Sequence, residues 1–359
     1  MKIVVAPERV SSNFNAVDIA NFLYVNLKSL LPGAVLLKCP LTDSGEELID
    51  ALLASEPGER CFSVVGNAWG EAVEVGWAWF PSKGVAVIEA AEICDSYSWG
   101  GKYLNSVSLS SSGGIGDLII EALDIGANRI VLILNDSVIG DAGKGMLERL
   151  GARFLDSEGW PLPPGGIFLS ALDRIDLADL EPRITQVRFE VIGECSKVDT
   201  SIGFRCKSHI TKTEQARLHR ALAHFAKYCD AHIRREECLR QDFTIDNGVG
   251  LAAQIFLHAG YRRCLELLAE LIDLVSKTKE ADVVIAVREQ SAHSGTFGSN
   301  DLVVKQLAQN YNIPVLTVSG RHSASDSDYC FDLQFVSTLE LLDESSELRV
   351  VAEALNVLL

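Results

Sequence analysis

Hydrophobic and polar positions alternate in two different rhythms along the chain. Short apolar runs at 2–6 and 34–39 each end in a polar loop bearing a carboxylate, and helix-like amphipathic stretches follow at 15–31 and up to about residue 54. The same grammar returns in runs at 282–287, 313–319 and 329–335. Apolar runs separated by amphipathic helices predict the strands of a parallel, doubly wound sheet. Between these ends the grammar changes. Runs at 60–65, 74–80 and 84–90 are joined by short turns containing Gly66, Asn67 and Gly70 and by Pro81-Ser-Lys-Gly84, which predicts antiparallel hairpins. Further strands are expected at 129–134, 152–156 and 187–193, with helices at 211–238, 246–259 and 263–276. The pattern predicts an α/β chain of two domains. Residues 1–58 and 270–359 form a parallel-sheet domain built from both chain ends, and 59–269 form an inserted mixed α/β domain.

Composition narrows the reading. At 359 residues the chain exceeds the size at which one hydrophobic core usually stops growing, and its 48% hydrophobic content is ample for two. A formal net charge of −17 argues against nucleic acid and anionic membrane as partners. It also requires a locally basic pocket or a metal for any polyanionic ligand. Nine cysteines show neither CxxC spacing nor the density of a disulfide framework, which points to a reducing cytoplasm. The N-terminus has no signal-peptide core, and no apolar run approaches the roughly 18 residues of a membrane span.

The chemistry concentrates in one stretch, N-D-S-V-I-G-D-A-G-K-G-M over 135–146, lying between the strand at 129–134 and a helix. In an open α/β sheet the loops after the strands face the ligand crevice, where glycines admit close backbone approach and carboxylates take a proton or a metal. Asp141, Ser137, Gly143 and Lys144 are the candidates here. The competing reading is ordinary turn geometry. A second cluster, S-S-S-G-G-I-G-D-L-I over 110–119, sets Gly114 and Gly116 at a helix start, either an anion site or a plain capped loop. His219, His224, Cys229, His232 and Cys238 are spread around one long helix without ligand spacing, and read as solvated and boundary positions. Trp69, Trp77 and Trp79 read as core or interface residues.

Taken in order, these motifs resemble the bacterial glycerate kinase family. The matching pieces are the M-K-I-V-V-A-P start, C-P-L-T-D-S-G-E at 39–46, V-I-E-A-A at 87–91, G-I-G-D-L-I at 114–119, the 135–146 loop, L-G-A-R-F-L-D with G-W-P-L-P-P-G-G, and I-P-V-L-T-V-S-G at 313–320. The resemblance implies a flavodoxin-like domain made from both chain ends and a middle domain of restriction-enzyme-like fold. It also implies ATP-dependent, Mg²⁺-dependent phosphorylation of the 2-hydroxyl of D-glycerate or a related small hydroxy acid. The partners so implied are that acid and the nucleotide, and a homodimer is kept open. Carried over by motif, Asp141, Asp43 and Ser137 take the catalytic roles, with Asp141 and Asp43 on the metal. Glu46, Gly114, Gly116, Gly143, Lys144 and Arg9 take substrate and phosphate.

Several loops depart from the family pattern. Ser11 stands where the family has a lysine, Asn135-Asp136 replaces a glycine pair, and Glu289 and Thr296 match their loop only loosely. Phosphoryl transfer needs an acid to orient the hydroxyl, Mg²⁺ on the phosphates and positive charge on the transferred group. The departures fall on the positive charge. Two expectations therefore stand: a kinase of small hydroxy acids, and a catalytically inactive homologue that binds a small acid or a protein partner.

Overall fold

The computed structural model describes residues 1–9, 15–94, 107–134, 139–193, 211–232, 248–288, 300–319 and 333–336. The chain divides into two compact units, Met1–Glu56 with Cys264–Leu359, and Pro57–Arg263.

In the first unit, β1 (Lys2–Pro7) is the central strand and is apolar on both faces, with Ile3 to Ala6 fully buried. Burial on both faces is what a parallel strand covered by helices requires. Helix α1 (Ala16–Leu30) starts where the Asn15 side chain accepts the Asp18 N–H at 2.8 Å, and it buries Ala16, Ile19, Ala20, Leu23 and Leu27 along one stripe. Strand β2 (Val35–Lys38) and helix α2 (Leu48–Ser55) complete the first pass.

The second unit opens with three antiparallel strands, β3 (Glu59–Gly66), β4 (Ala72–Phe80) and β5 (Val85–Glu89). The short helix α3 (Ala91–Cys94), helix α4 (Gly113–Asp124) and strand β6 (Arg129–Leu134) follow. Next come α5 (Lys144–Arg149), the paired strands β7 (Arg153–Leu155) and β8 (Arg174–Asp176), and β9 (Arg188–Gly193). Helices α6 (Lys212–His232) and α7 (Val249–Phe256) and the two-residue strand β10 (Gly260–Tyr261) close the unit. Among the described residues its main sheet runs β10-β9-β6-β5-β4-β3, parallel from β10 to β5 and antiparallel beyond. Trp77 is buried in its core, with Trp69 and Trp79 packed against it, as expected. Cys229 is also buried there, which corrects its reading as a boundary position: α6 turns Leu218, Leu222, Phe225 and Cys229 onto one apolar stripe.

The chain then returns to the first unit through α8 (Cys264–Leu271), α9 (Leu274–Lys279), β11 (Val283–Arg288), α10 (Asn300–Asn310), β12 (Val315–Ser319) and β13 (Leu333–Val336). The single helix expected over 263–276 is broken at Asp273, whose φ of 50° is left-handed. Asp tolerates that conformation better than most residues, and the break lets both Leu271 and Leu274 be buried. All described pairings in this sheet are parallel, in the order β13-β12-β11-β1-β2. Numbered within the unit alone, the strands lie in space as second, first, third, fourth, fifth. The winding reverses between β1 and β11, and loops at such a reversal flank a crevice. No helix among the described residues is long and apolar enough to cross a membrane.

Candidate functional site

Each unit carries part of the predicted residue set. In the first unit, the carboxyl ends of β1 and β2 meet where Leu41 N donates to Pro7 O and Cys39 N to Val5 O, both at 2.8 Å. Arg9 leaves β1 beside the winding reversal, and its guanidinium binds the Glu47 carboxylate, with Nε to Oε1 at 2.7 Å. Glu47 was not singled out in the sequence. Its neighbour Glu46 stands in the same single turn of 3₁₀ helix, Gly45–Glu47. Asp43 is exposed at the tip of the preceding loop. That loop is held from beneath by Cys264, whose thiol reaches Ser44 O at 3.5 Å and Thr42 O at 3.7 Å. Burial, with the nearby Asp43 charge adding to it, pushes the Cys264 thiol up to about 12. The sulfur therefore remains a protonated donor to the loop carbonyls at neutral pH.

In the second unit, the loop after β6 leads into α5 through two consecutive left-handed residues, Ala142 (φ 53°) and Gly143 (φ 78°). A side chain at 143 would be strained by that φ and would also place Cβ 2.6 Å from Ala252 Cβ. The backbone so bent wraps around Asp141, which is 1% exposed. One carboxylate oxygen, Oδ1, accepts Gly143 N–H at 3.0 Å. The other, Oδ2, accepts Ser112 N–H and Gly145 N–H at 2.8 Å each and the Ser112 hydroxyl at 3.0 Å. The Ser112 oxygen accepts Met146 N–H at 2.8 Å in turn. One buried carboxylate thus caps the starts of both α4 and α5, where the otherwise unpartnered N–H groups and the positive helix ends favour an anion. Burial nevertheless raises its pKa, against the pull of these donors.

The remaining predicted residues of this unit surround the same knot. Gly145 brings the helices together, because a Cβ there would lie 2.2 Å from Ser111 Oγ. A Cβ on Gly114 would sit 2.3 Å from Gly66 O, and one on Gly116 would sit 2.5 Å from Met146 O, so both glycines serve close packing of α4. Lys144 is 1% exposed and turns inward: Nζ meets Glu148 Oε1 at 2.7 Å and lies 5.8 Å from the centre of the Phe154 ring. Burial pushes the Glu148 carboxyl above its ordinary range, with Lys144 pulling it back. Ser137 falls outside the described residues, as do Asn135 and Asp136. Glu89, which the 87–91 motif contains but to which the sequence assigns no role, is 8% exposed at the carboxyl end of β5 and level with Ile133 of β6. The signal was available: it is the one ionisable residue closing an otherwise apolar strand.

The donor set can be tested against Mg²⁺. Oδ2 of Asp141 accepts three protein donors and Oδ1 accepts one, so the carboxylate already serves as a helix-start acceptor. Among the described residues no cluster of three or more His, Cys, Asp or Glu side chains could hold a metal ion.

The model of the glycerate kinase family matches residues 3–359 of this chain. The chain belongs to the glycerate kinase family. It is 29% identical to the glycerate kinase of Bacillus subtilis (strain 168) over 332 residues, covering 89% of this chain and 85% of that one. To the glycerate 2-kinase of Escherichia coli (strain K12) it is 25% identical over 327 residues, covering 89% and 85%. A crystal structure from Salmonella typhimurium LT2, assigned as a glycerate kinase 2, superposes with a TM-score of 0.83 at 26% identity, covering 99% of this chain and 98% of that one. Membership in the glycerate kinase family supports kinase activity on a small hydroxy acid, on an α/β fold with mixed sheets.

Proposed function

We propose that this chain transfers the terminal phosphoryl group of ATP to a hydroxyl of D-glycerate or a closely related small hydroxy acid, with Mg²⁺ accompanying the nucleotide. The observation that carries the reading is the family match across 3–359, which leaves neither unit outside the resemblance. The strand order of the first unit supports a flavodoxin-like domain, in which ligands sit at the reversal of winding. The second unit is read as the restriction-enzyme-like partner domain.

In this reading Asp43 is the acid that meets the substrate hydroxyl, because it is exposed and its loop is fixed by Cys264. Arg9 supplies positive charge beside the winding reversal, exchanging part of its hold on Glu47 for an anion. Ser137 keeps its proposed catalytic role and Glu46 its proposed role with substrate and phosphate. Asp141 becomes a positioning residue that ties the start of α5 to that of α4, and Lys144 a structural cation. Mg²⁺, when bound with the nucleotide, supplies charge neutralisation on the phosphates, and no step is routed through it here. Asp43→Asn tests the assignment. Turnover should fall at least about a hundredfold with an unchanged melting temperature, and unchanged turnover removes Asp43 from the reaction.

One observation favours a second reading, a homologue that binds a small acid or a protein partner without turnover. Lys144, the cation nearest the glycine loop in sequence, is buried in an ion pair.

A further inference from the structure

Asp43 is exposed at the tip of its loop, yet the chain on either side of it is built in. Leu41 and Thr42 are buried before it and Gly45 after it. The Leu41 N–H on Pro7 O fixes the approach to the loop against β1. A buried hydroxyl costs free energy unless it is hydrogen-bonded. The Thr42 hydroxyl finds both of its partners on a single residue two places on. Its Oγ1 accepts the Ser44 N–H at 3.0 Å and donates to Ser44 O at 3.2 Å. One side chain thus bridges the backbone across Asp43. The two carbonyls that bracket Asp43, Thr42 O and Ser44 O, both accept from the thiol of Cys264, the first residue of α8. Asp43 is therefore the exposed residue of a turn whose two flanks are tied to each other and to α8.

Aim decides whether a carboxylate can orient a hydroxyl. The two oxygens must come within about 2.6–3.2 Å, and a misplacement of about 1 Å can cost on the order of a hundredfold in rate. An aspartate carries its carboxylate on a short side chain, so the backbone of its turn sets where the oxygens reach. The Thr42 bridge restrains the backbone dihedrals of Asp43 and Ser44, because a bond from residue 42 to residue 44 closes over them. Valine at 42 would keep the branched shape of the buried side chain and lose the bridge.

We infer that Thr42 is a positioning residue for phosphoryl transfer, whose hydroxyl bridge to Ser44 aims the Asp43 carboxylate at the substrate hydroxyl. The inference rests on the proposed role of Asp43 and deepens it, since Thr42 acts through Asp43 alone.

Turnover of Mg²⁺-ATP and D-glycerate by the full chain, in a double-mutant cycle of Thr42→Val and Asp43→Asn, tests this. Thr42→Val should lower kcat at least about tenfold and leave KM for ATP within about twofold. Thr42→Ser, which keeps the hydroxyl, should recover most of that loss. In the Asp43→Asn background Thr42→Val should change kcat by less than about twofold, because the carboxylate it aims is already gone. Hydrogen exchange reads the bridge without turnover: Thr42→Val should speed exchange over 41–45 and leave β1 at the wild-type rate. A Thr42→Val that turns over like the wild type overturns the inference. So does an equal loss in the Asp43→Asn background, a Thr42→Ser as impaired as Thr42→Val, or wild-type exchange over 41–45 in Thr42→Val. Each of these outcomes removes Thr42 alone, whereas a wild type without turnover overturns the reading of Asp43 and this inference with it.

Discussion

The Ser112 hydroxyl donates a hydrogen bond to Asp141 Oδ2 at 3.0 Å and accepts one from Met146 N–H at 2.8 Å, so one side chain joins the starts of two helices through a carboxylate. The relay fills Asp141 Oδ2 with protein donors. Its main consequence is mechanical, because it ties the start of α5 to the start of α4.

Asp141→Asn should therefore act on stability before it acts on chemistry. An amide turns at least one N–H toward the N–H groups of Ser112, Gly143 or Gly145 and leaves a buried donor unmet, at a cost of about 1–3 kcal/mol. Ser112→Ala should cost a similar amount, and the two losses should be far from additive because they break one network. Denaturant unfolding of the single and double variants checks both. Additive losses would place the two residues in separate interactions.

Lys144 and Glu148 predict an asymmetric pair of substitutions. Glu148→Ala leaves an unpaired buried ammonium and should destabilise by about 3–5 kcal/mol, whereas Lys144→Met leaves only a partly exposed carboxylate and should be close to neutral or stabilising. If Lys144 is structural, Lys144→Met keeps its turnover. A folded Lys144→Met that loses turnover would return Lys144 to the phosphate site.

Alkaline pH should act on two buried thiols, Cys39 and Cys264. Burial raises Cys39 and Cys264 from 9.0 to about 12, so between these values the folded chain holds protons that the unfolded chain releases. Their contribution to stability is complete below pH 9 and is lost as pH rises toward 12, at about 1.4 kcal/mol per pH unit for each thiol. Melting curves of the wild type and of Cys39→Ser with Cys264→Ser should diverge in slope across this range. Parallel profiles would contradict the assignment.

Much of the fold was legible because buried parallel strands leave continuous apolar runs, as in Lys2–Pro7 and Arg129–Leu134, and because the hairpins of β3 to β5 carry Gly and Pro turns. The break at Asp273 was not legible, since a single left-handed residue leaves the apolar spacing on either side intact. The candidate site was legible as a neighbourhood but not as a set of directions. An aspartate between glycines before a helix looks the same whether its carboxylate faces solvent or closes a cap, and only the fold turns Asp141 inward. Lys144 is similar, because a lysine in the first turn reads as a phosphate ligand until Glu148, four residues on, is seen to hold it. Glu47 and Cys264 escaped notice because their roles depend on contacts with Arg9 and with the 42–44 loop that lie far away in sequence.

The central claim is tested most directly by incubating the purified chain with Mg²⁺-ATP and D-glycerate, following ATP consumption and identifying the product by mass spectrometry. The account predicts stoichiometric ADP and phosphoglycerate, with loss of turnover in Asp43→Asn. No phosphorylated product from D-glycerate or related hydroxy acids, together with no heat of ATP binding by calorimetry, would contradict it and leave a glycerate kinase fold kept for binding alone.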